Sequence, residues 1–162
     1  MTQTEHDTIW LTPEAQARLK AELERRSGVD RQEIVERISA ARDEGDLKEN
    51  GGYHAAKDEQ GTNEARIRQL QDLLREATTT MPEDDGVVRP GKVVTYRFAG
   101  DEDEVILLGD REIETDDLQV VSPQSPIGAA LVGATSGDTV DFETPTGKVV
   151  KLTVVSATPY AS

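Results

Sequence analysis

The sequence predicts an α+β protein: a long antiparallel α-helical coiled-coil hairpin over residues 1–80, then a small α+β domain over residues 81–162. Three observations carry this. Apolar residues recur in steps of three and four as far as Leu74, which is the spacing of a helical seam. From Val93 onward the apolar residues alternate with polar ones, which is the period of a half-buried strand. Between them the polar run Thr78 to Gly86, with Pro82 inside it, reads as a linker.

The first helix starts at Thr12-Pro13-Glu14. Thr accepts from an orphan amide, Pro has no amide to satisfy, and Glu suits the positive end of the helix dipole. Leu19 and Leu23 share a face. Ser27-Gly28-Val29-Asp30 is expected to interrupt or kink the helix without ending the arm, with Asp30 and Glu33 forming a capping-box-like restart before Ile34, Ile38 and Ala41. The second helix carries Tyr53, Ala56, Gln60, Asn63, Ile67, Leu70 and Leu74 on one stripe. Folding back at Leu47 to Lys48 sets Leu23 opposite Leu74, Ile38 opposite Gln60 and Ala41 opposite Ala56. The seam is small and polar near the tip and Leu- and Ile-rich at the base, so stability should fall towards the tip. About thirty residues per arm reach on the order of 45 Å.

In the second half, Val93–Phe98 and Val105–Leu108 flank a turn, as do Thr139–Glu143 and Val149–Val155, the latter about Pro145-Thr146-Gly147. A short helix begins at Pro126 and runs through Ile127 to Val132. The acidic cluster Asp101 to Glu104 reads as a solvated hairpin tip.

Composition excludes several functions. Eighteen Lys and Arg stand against 32 Asp and Glu, a net charge of −14. Residues 1–80 hold 12 basic against 17 acidic side chains and residues 81–162 hold 6 against 15, so both halves are acidic. A general duplex binder needs a basic surface, so any nucleic-acid contact must be local. With no cysteine there is no disulfide or thiolate metal site. The first residues lack the pattern of a signal peptide, and no apolar run approaches the roughly 20 residues that span a bilayer. A soluble, cytoplasmic, monomeric protein with no membrane partner is expected.

Gly45-Asp46-Leu47-Lys48-Glu49-Asn50-Gly51-Gly52 lies between the arms and places two carboxylates at the tip. Spacing alone allows a plain reading, in which Asp46 and Glu49 form a capping box for the next helix and Asn50-Gly51-Gly52 is turn material. The alternative is functional. Two exposed acids can offer a magnesium ion one or two ligands, leaving the rest to water, phosphate or a partner. They become a useful site only beside other ligands, where a metal can activate water for in-line displacement at phosphorus.

The segment Ala41-Arg42-Asp43-Glu44-Gly45-Asp46-Leu47-Lys48-Glu49-Asn50-Gly51-Gly52-Tyr53-His54-Ala55-Ala56-Lys57-Asp58-Glu59-Gln60 closely resembles the tip of the bacterial Gre family, the transcript cleavage factors of RNA polymerase. Ser122-Pro123-Gln124-Ser125-Pro126-Ile127-Gly128 resembles that family's C-terminal signature, and the likeness runs from about Trp10 to Tyr160. The resemblance implies an FKBP-like C-terminal domain that docks on bacterial RNA polymerase through Ser122, Pro123, Ser125, Pro126, Ile127 and Gly128. It implies a hairpin that enters the secondary channel to reach the nascent RNA 3′ end of a backtracked complex. Asp46 and Glu49 correspond to the tip acids that share a catalytic Mg2+ with the polymerase's own aspartates, an ion the free protein does not stably hold. The chain is then an accessory factor and not an enzyme by itself.

Arg42, Lys48, Tyr53 and Lys57 are candidate contacts to RNA or polymerase near the tip. The basic three serve equally as surface charge balancing Asp43, Glu44 and Asp58, and Tyr53 as a seam residue. His54 is left out of the catalytic set. Gly51-Gly52 departs from the Ala-Glu of many family members and loosens the helix start by about 1 kcal/mol per glycine relative to alanine. Two other functions compete: a Gre-like channel binder that inhibits without cleavage, which retention of both acids argues against, and an FKBP-like prolyl isomerase or chaperone, for which Tyr96, Phe98, Phe142 and Tyr160 are the available aromatics. With only modest basic charge on the hairpin, the resemblance to the family's less basic members implies release of short RNA fragments.

Overall fold

A computed structural model describes residues 9–45, 48–98 and 100–161. The chain divides into two compact units: residues 16–76, and the segment ending at Ala15 together with the chain from Ala77 onward. The division thus falls at residues 15 and 76, where the composition placed it at 80. The cause is a short pairing. Ile9–Trp10 (β1) runs parallel to Ala77–Thr78 (β2), which ties the residues before the hairpin to the sheet unit.

Helix α1 (Pro13–Arg25) starts as its sequence implies, with the Thr12 hydroxyl accepting the Ala15 amide at 3.1 Å. The interruption expected at residues 27–30 takes the form of a change in helix type and not of a restart. A π-helical turn (Arg26–Asp30) carries it directly into α2 (Arg31–Asp43), so the expected restart is corrected. Asp30 keeps helical angles (φ −62, ψ −46) and caps nothing; its carboxylate instead accepts from Arg25 Nε at 3.3 Å. The wide turn survives because its loosened carbonyls find donors. The Ser27 hydroxyl donates to Leu23 O at 2.6 Å, and Asn63 Nδ2, from the facing arm, donates to Arg26 O at 3.0 Å.

The second arm is α3 (Gly51–Glu76). Ile34, Ile38 and Ala41 on α2 and Ala56, Asn63, Ile67 and Leu70 on α3 are buried, the stripes expected from their spacing. Ile34, Ile38 and Ala56 pack together with Tyr53 against them. Two forked ion pairs fit the fold-back about residues 47–48: Arg37 to Glu59 at 2.6 and 2.9 Å, and Arg31 to Glu64 at 2.8 and 3.0 Å. Nearer the base the contacts depart from that simple mirror. Glu22 takes both Arg66 (2.9 and 3.1 Å) and Arg26 (2.7 Å), although a strict fold-back sets it near residue 75. The Arg66 hydrogen bonds are the largest of the effects that lower the Glu22 carboxyl to about 2.

The sheet unit holds five strands in the order β5-β4-β3-β7-β6. They are β3 (Lys92–Phe98), β4 (Asp103–Leu108), β5 (Gln119–Val121), β6 (Thr139–Glu143) and β7 (Val149–Pro159). The expected hairpins β3–β4 and β6–β7 are antiparallel, and β3 with β7 joins them. The short β5 adds to β4 in parallel. Helix α4 (Pro126–Leu131) contributes Leu131 to a core with Val88, Val94, Tyr96, Ile106, Leu108, Leu152 and Val154. The architecture is α+β as predicted. Phe98 and Phe142 pack on this core and Tyr160 stands edge-on to Trp10, so these aromatics serve packing. Lys92 has no exposed surface, and its Nζ donates to Asp85 Oδ1 and to Val87 O, each at 2.6 Å. Trp10 is wedged against two glycines: a side chain at Gly91, which also needs its φ of +96°, would strike the ring, and one at Gly109 would strike Ile113 Cδ1 and crowd the ring at 3.2 Å. Among the described residues, no helix is long and apolar enough to cross a membrane.

Candidate functional site

The tip is built by two helix ends that face each other. Helix α2 ends at Asp43, and the Glu44 and Gly45 amides donate back to Ala41 O and Arg42 O at 3.2 and 3.4 Å. Gly45 has a φ of +122°, a region open to glycine, which lets the chain turn away from the helix. Asp46, the first of the two predicted tip acids, lies with Leu47 outside the described residues. Lys48 and Glu49 follow and are exposed, before α3 opens at Gly51.

The cap of α3 is Asn50. Its Oδ1 accepts the Tyr53 amide at 3.0 Å, and its main-chain oxygen accepts the His54 amide at 3.2 Å. This corrects the capping-box alternative: Glu49 precedes the cap and cannot occupy the third helical position. The Asn50 Nδ2 also donates to Ala41 O at 2.6 Å, tying the last turn of α2 to the first of α3. Reading Asn50 as turn material missed this. The signal was available in the sequence, because Asn before the apolar stripe of α3 is a strong N-cap.

The structure brings Arg42, Tyr53 and Lys57 to one side of the tip. The Arg42 guanidinium carbon lies 5.9 Å from the Tyr53 ring centroid, a cation–π arrangement, and the same ring meets His54 edge-on at 5.5 Å. Lys57 Nζ donates to Gln60 Oε1 at 3.1 Å. Arg42 and Lys57 line a cleft of about 230 Å³ with Val35, Ile38, Ser39 and Gln60. Tyr53 is therefore a seam residue, half-buried, with its ring engaged from two sides.

Glu49 has no ion pair or side-chain hydrogen bond to any described residue. An unneutralised, solvated carboxylate is the donor chemistry that a hard divalent cation takes. Among the described residues, no group of three or more His, Cys, Asp or Glu could hold a metal ion.

The residues singled out in the second half belong to the sheet unit. The loop before α4 is satisfied internally. Ser125 Oγ donates to Ser122 O at 2.6 Å and accepts the Gly128 amide at 3.2 Å, and the Gln124 amide donates to Ser122 Oγ at 3.1 Å. Gly128 is required by space, since a Cβ there would lie 2.0 Å from Ser122 O. Ser122, Ser125 and Gly128 thus shape the turn. Pro126 is exposed, with Pro123 and Ile127 half-buried.

Two family matches cover most of the chain: "Transcription elongation factor, N-terminal" over residues 9–78 and "Transcription elongation factor, GreA/GreB, C-term" over residues 83–159. Among curated relatives, transcription elongation factor GreA of Streptomyces coelicolor is 50% identical, covering 99% of each chain. That of Mycobacterium tuberculosis is 47% identical, covering 98% of this chain and 99% of its own. Among solved structures, GreA factor homolog 1 of Thermus thermophilus is 27% identical, covering 93% of this chain and 98% of its own, with a TM-score of 0.42.

Proposed function

The chain belongs to the GreA/GreB family of transcription elongation factors, and on that footing we propose that it binds bacterial RNA polymerase and stimulates the polymerase's own endonucleolytic cleavage of backtracked nascent RNA. The observation that carries the chemical part is Glu49, exposed at the connection between the two arms and without a described partner.

The hairpin enters through the secondary channel and presents Glu49, with its sequence neighbour Asp46, beside the polymerase's catalytic aspartates. A magnesium ion held there by these acids and the polymerase's own would supply Lewis-acid stabilisation of charge at phosphorus and would activate water. The chain's own acids supply oxygen ligands. Arg42, Lys48 and Lys57 offer cationic groups for RNA phosphates or polymerase carboxylates. The Ser122 to Gly128 turn, rigid through its own hydrogen bonds, presents Pro123, Pro126 and Ile127 for docking. The phosphodiester is hydrolysed, a short 3′ fragment leaves, and the new 3′ end is in register for extension. The factor contributes ligands and position while the polymerase holds the rest of the centre.

The test is a stalled, backtracked elongation complex supplied with the factor. Glu49→Gln together with Asp46→Asn is expected to lower the cleavage rate by about 100-fold or more while leaving competition with unaltered factor for polymerase intact. RNA shortening that persists in the double variant would overturn the mechanism. Binding without shortening by the unaltered chain would instead assign it to the inhibitory class.

A further inference from the structure

Glu49 emerges from the short connection between α2 and α3, and its following helix begins with Gly51 and Gly52, which add no side-chain restraint. Something else must set the direction in which its carboxylate leaves the tip. Asn50, the next residue, makes two side-chain hydrogen bonds to opposite arms: Oδ1 to the Tyr53 amide at 3.0 Å, and Nδ2 to Ala41 O at 2.6 Å, nine residues upstream. We propose that Asn50 is a positioning residue, whose side-chain amide bridges the two arms and thereby fixes the backbone from which Glu49 projects. This rests on the reading of the tip given above and names a residue through which that tip is made competent.

The residue type is specific. A carboxamide carries its acceptor and its donor on two separate atoms, so one side chain reaches the helix start and the main-chain carbonyl of the facing arm together. Aspartate would retain the acceptor, and its charge suits a helix N-terminus. It would nevertheless face Ala41 O with a second acceptor and lose the bridge. Asn50→Asp therefore separates capping from bridging, and Asn50→Ala removes both. Ala41 O keeps the Glu44 amide at 3.2 Å in either variant, so α2 retains its own ending. The helices are held by the seam below the tip, so both variants should fold.

Two readouts test the proposal on the full chain. In the free protein, the backbone order parameters of Glu49 and Asn50 should fall from the range of rigid backbone, about 0.85, to about 0.6 or below in Asn50→Asp, while Tyr53 stays ordered under the remaining cap. In backtracked complexes, Asn50→Asp should lower the saturated cleavage rate about 10- to 100-fold, as loss of a group supporting a metal ligand does, with the factor concentration for half-maximal cleavage unchanged. In a Glu49→Gln background the same change should have no further effect, because it acts through Glu49. Cleavage lost in Glu49→Gln but intact in Asn50→Asp would end this inference alone; cleavage surviving Glu49→Gln would end the reading of the tip and this inference with it. A shift in half-maximal factor concentration at unchanged saturated rate would also overturn it, by assigning Asn50 to docking.

Discussion

The sheet unit and the hairpin solve the same problem with different chemistry. The sheet unit buries a continuous set of branched aliphatics, with Val88, Val94, Leu108, Leu131, Leu152 and Val154 fully shielded from water, and even its buried lysine is held by partners on its own unit. The hairpin has a thin apolar stripe, and long polar side chains join its arms: Glu22 with Arg66, Arg26 with Asn63, Arg31 with Glu64, Arg37 with Glu59 and Asn50 with Ala41. Apolar burial is indifferent to direction, whereas each hydrogen bond fixes a geometry. A hairpin with so thin an apolar stripe takes its register from the second kind.

If this contrast is right, the largest stability effect belongs to the sheet core. Leu108→Ala should cost that unit about 3–4 kcal/mol, measured by urea denaturation, because the cavity adds to the lost transfer energy. Asn63→Ala comes next, at about 2 kcal/mol in the hairpin, because the buried Asn63 side chain bonds both Arg26 O and Arg26 Nη1 across the seam, and Arg26 O is then left with the Arg31 amide alone. Acid should then weaken the hairpin through Glu22. Its carboxyl is lowered from an ordinary value near 4.5 to about 2, so its stabilisation is complete above about pH 4.5 and is lost as the pH falls towards 2. Solvent screening holds this to about 1 kcal/mol, and Glu22→Gln should remove that part of the pH dependence in a thermal melt. Arg37→Ala should do least. Both members of its pair are about half exposed, so the melting midpoint should stay put, and a clear drop would show that forked surface pairs carry more of the rod than argued.

What the sequence disclosed follows the same division. Long periodic runs were legible: the α3 stripe from Tyr53 to Leu74 and the strands from Val93 and Thr139 appear where alternation put them. The pairings β1–β2 and β4–β5 were not, since strands of two or three residues have no period and take their place from neighbours. Gly28 read as a breaker because propensity is local, and the groups that keep the helix intact include Asn63 on the other arm. At the tip the acids stood out by charge while Asn50, which organises the described part of it, looked like filler. Glu49 is exposed at the connection as expected, and Asp46 falls outside the described residues.

The packing of Trp10 has a practical consequence. It is the sole indole in the chain, buried in the sheet unit against Tyr160 and two glycines. Its fluorescence therefore reports when that unit opens and is blind to the arms, whereas far-ultraviolet dichroism is dominated by the helices. Recorded on one sample, the two signals form a built-in pair of gauges, and melting curves that fail to superimpose would reveal two independent cooperative transitions within a single polypeptide.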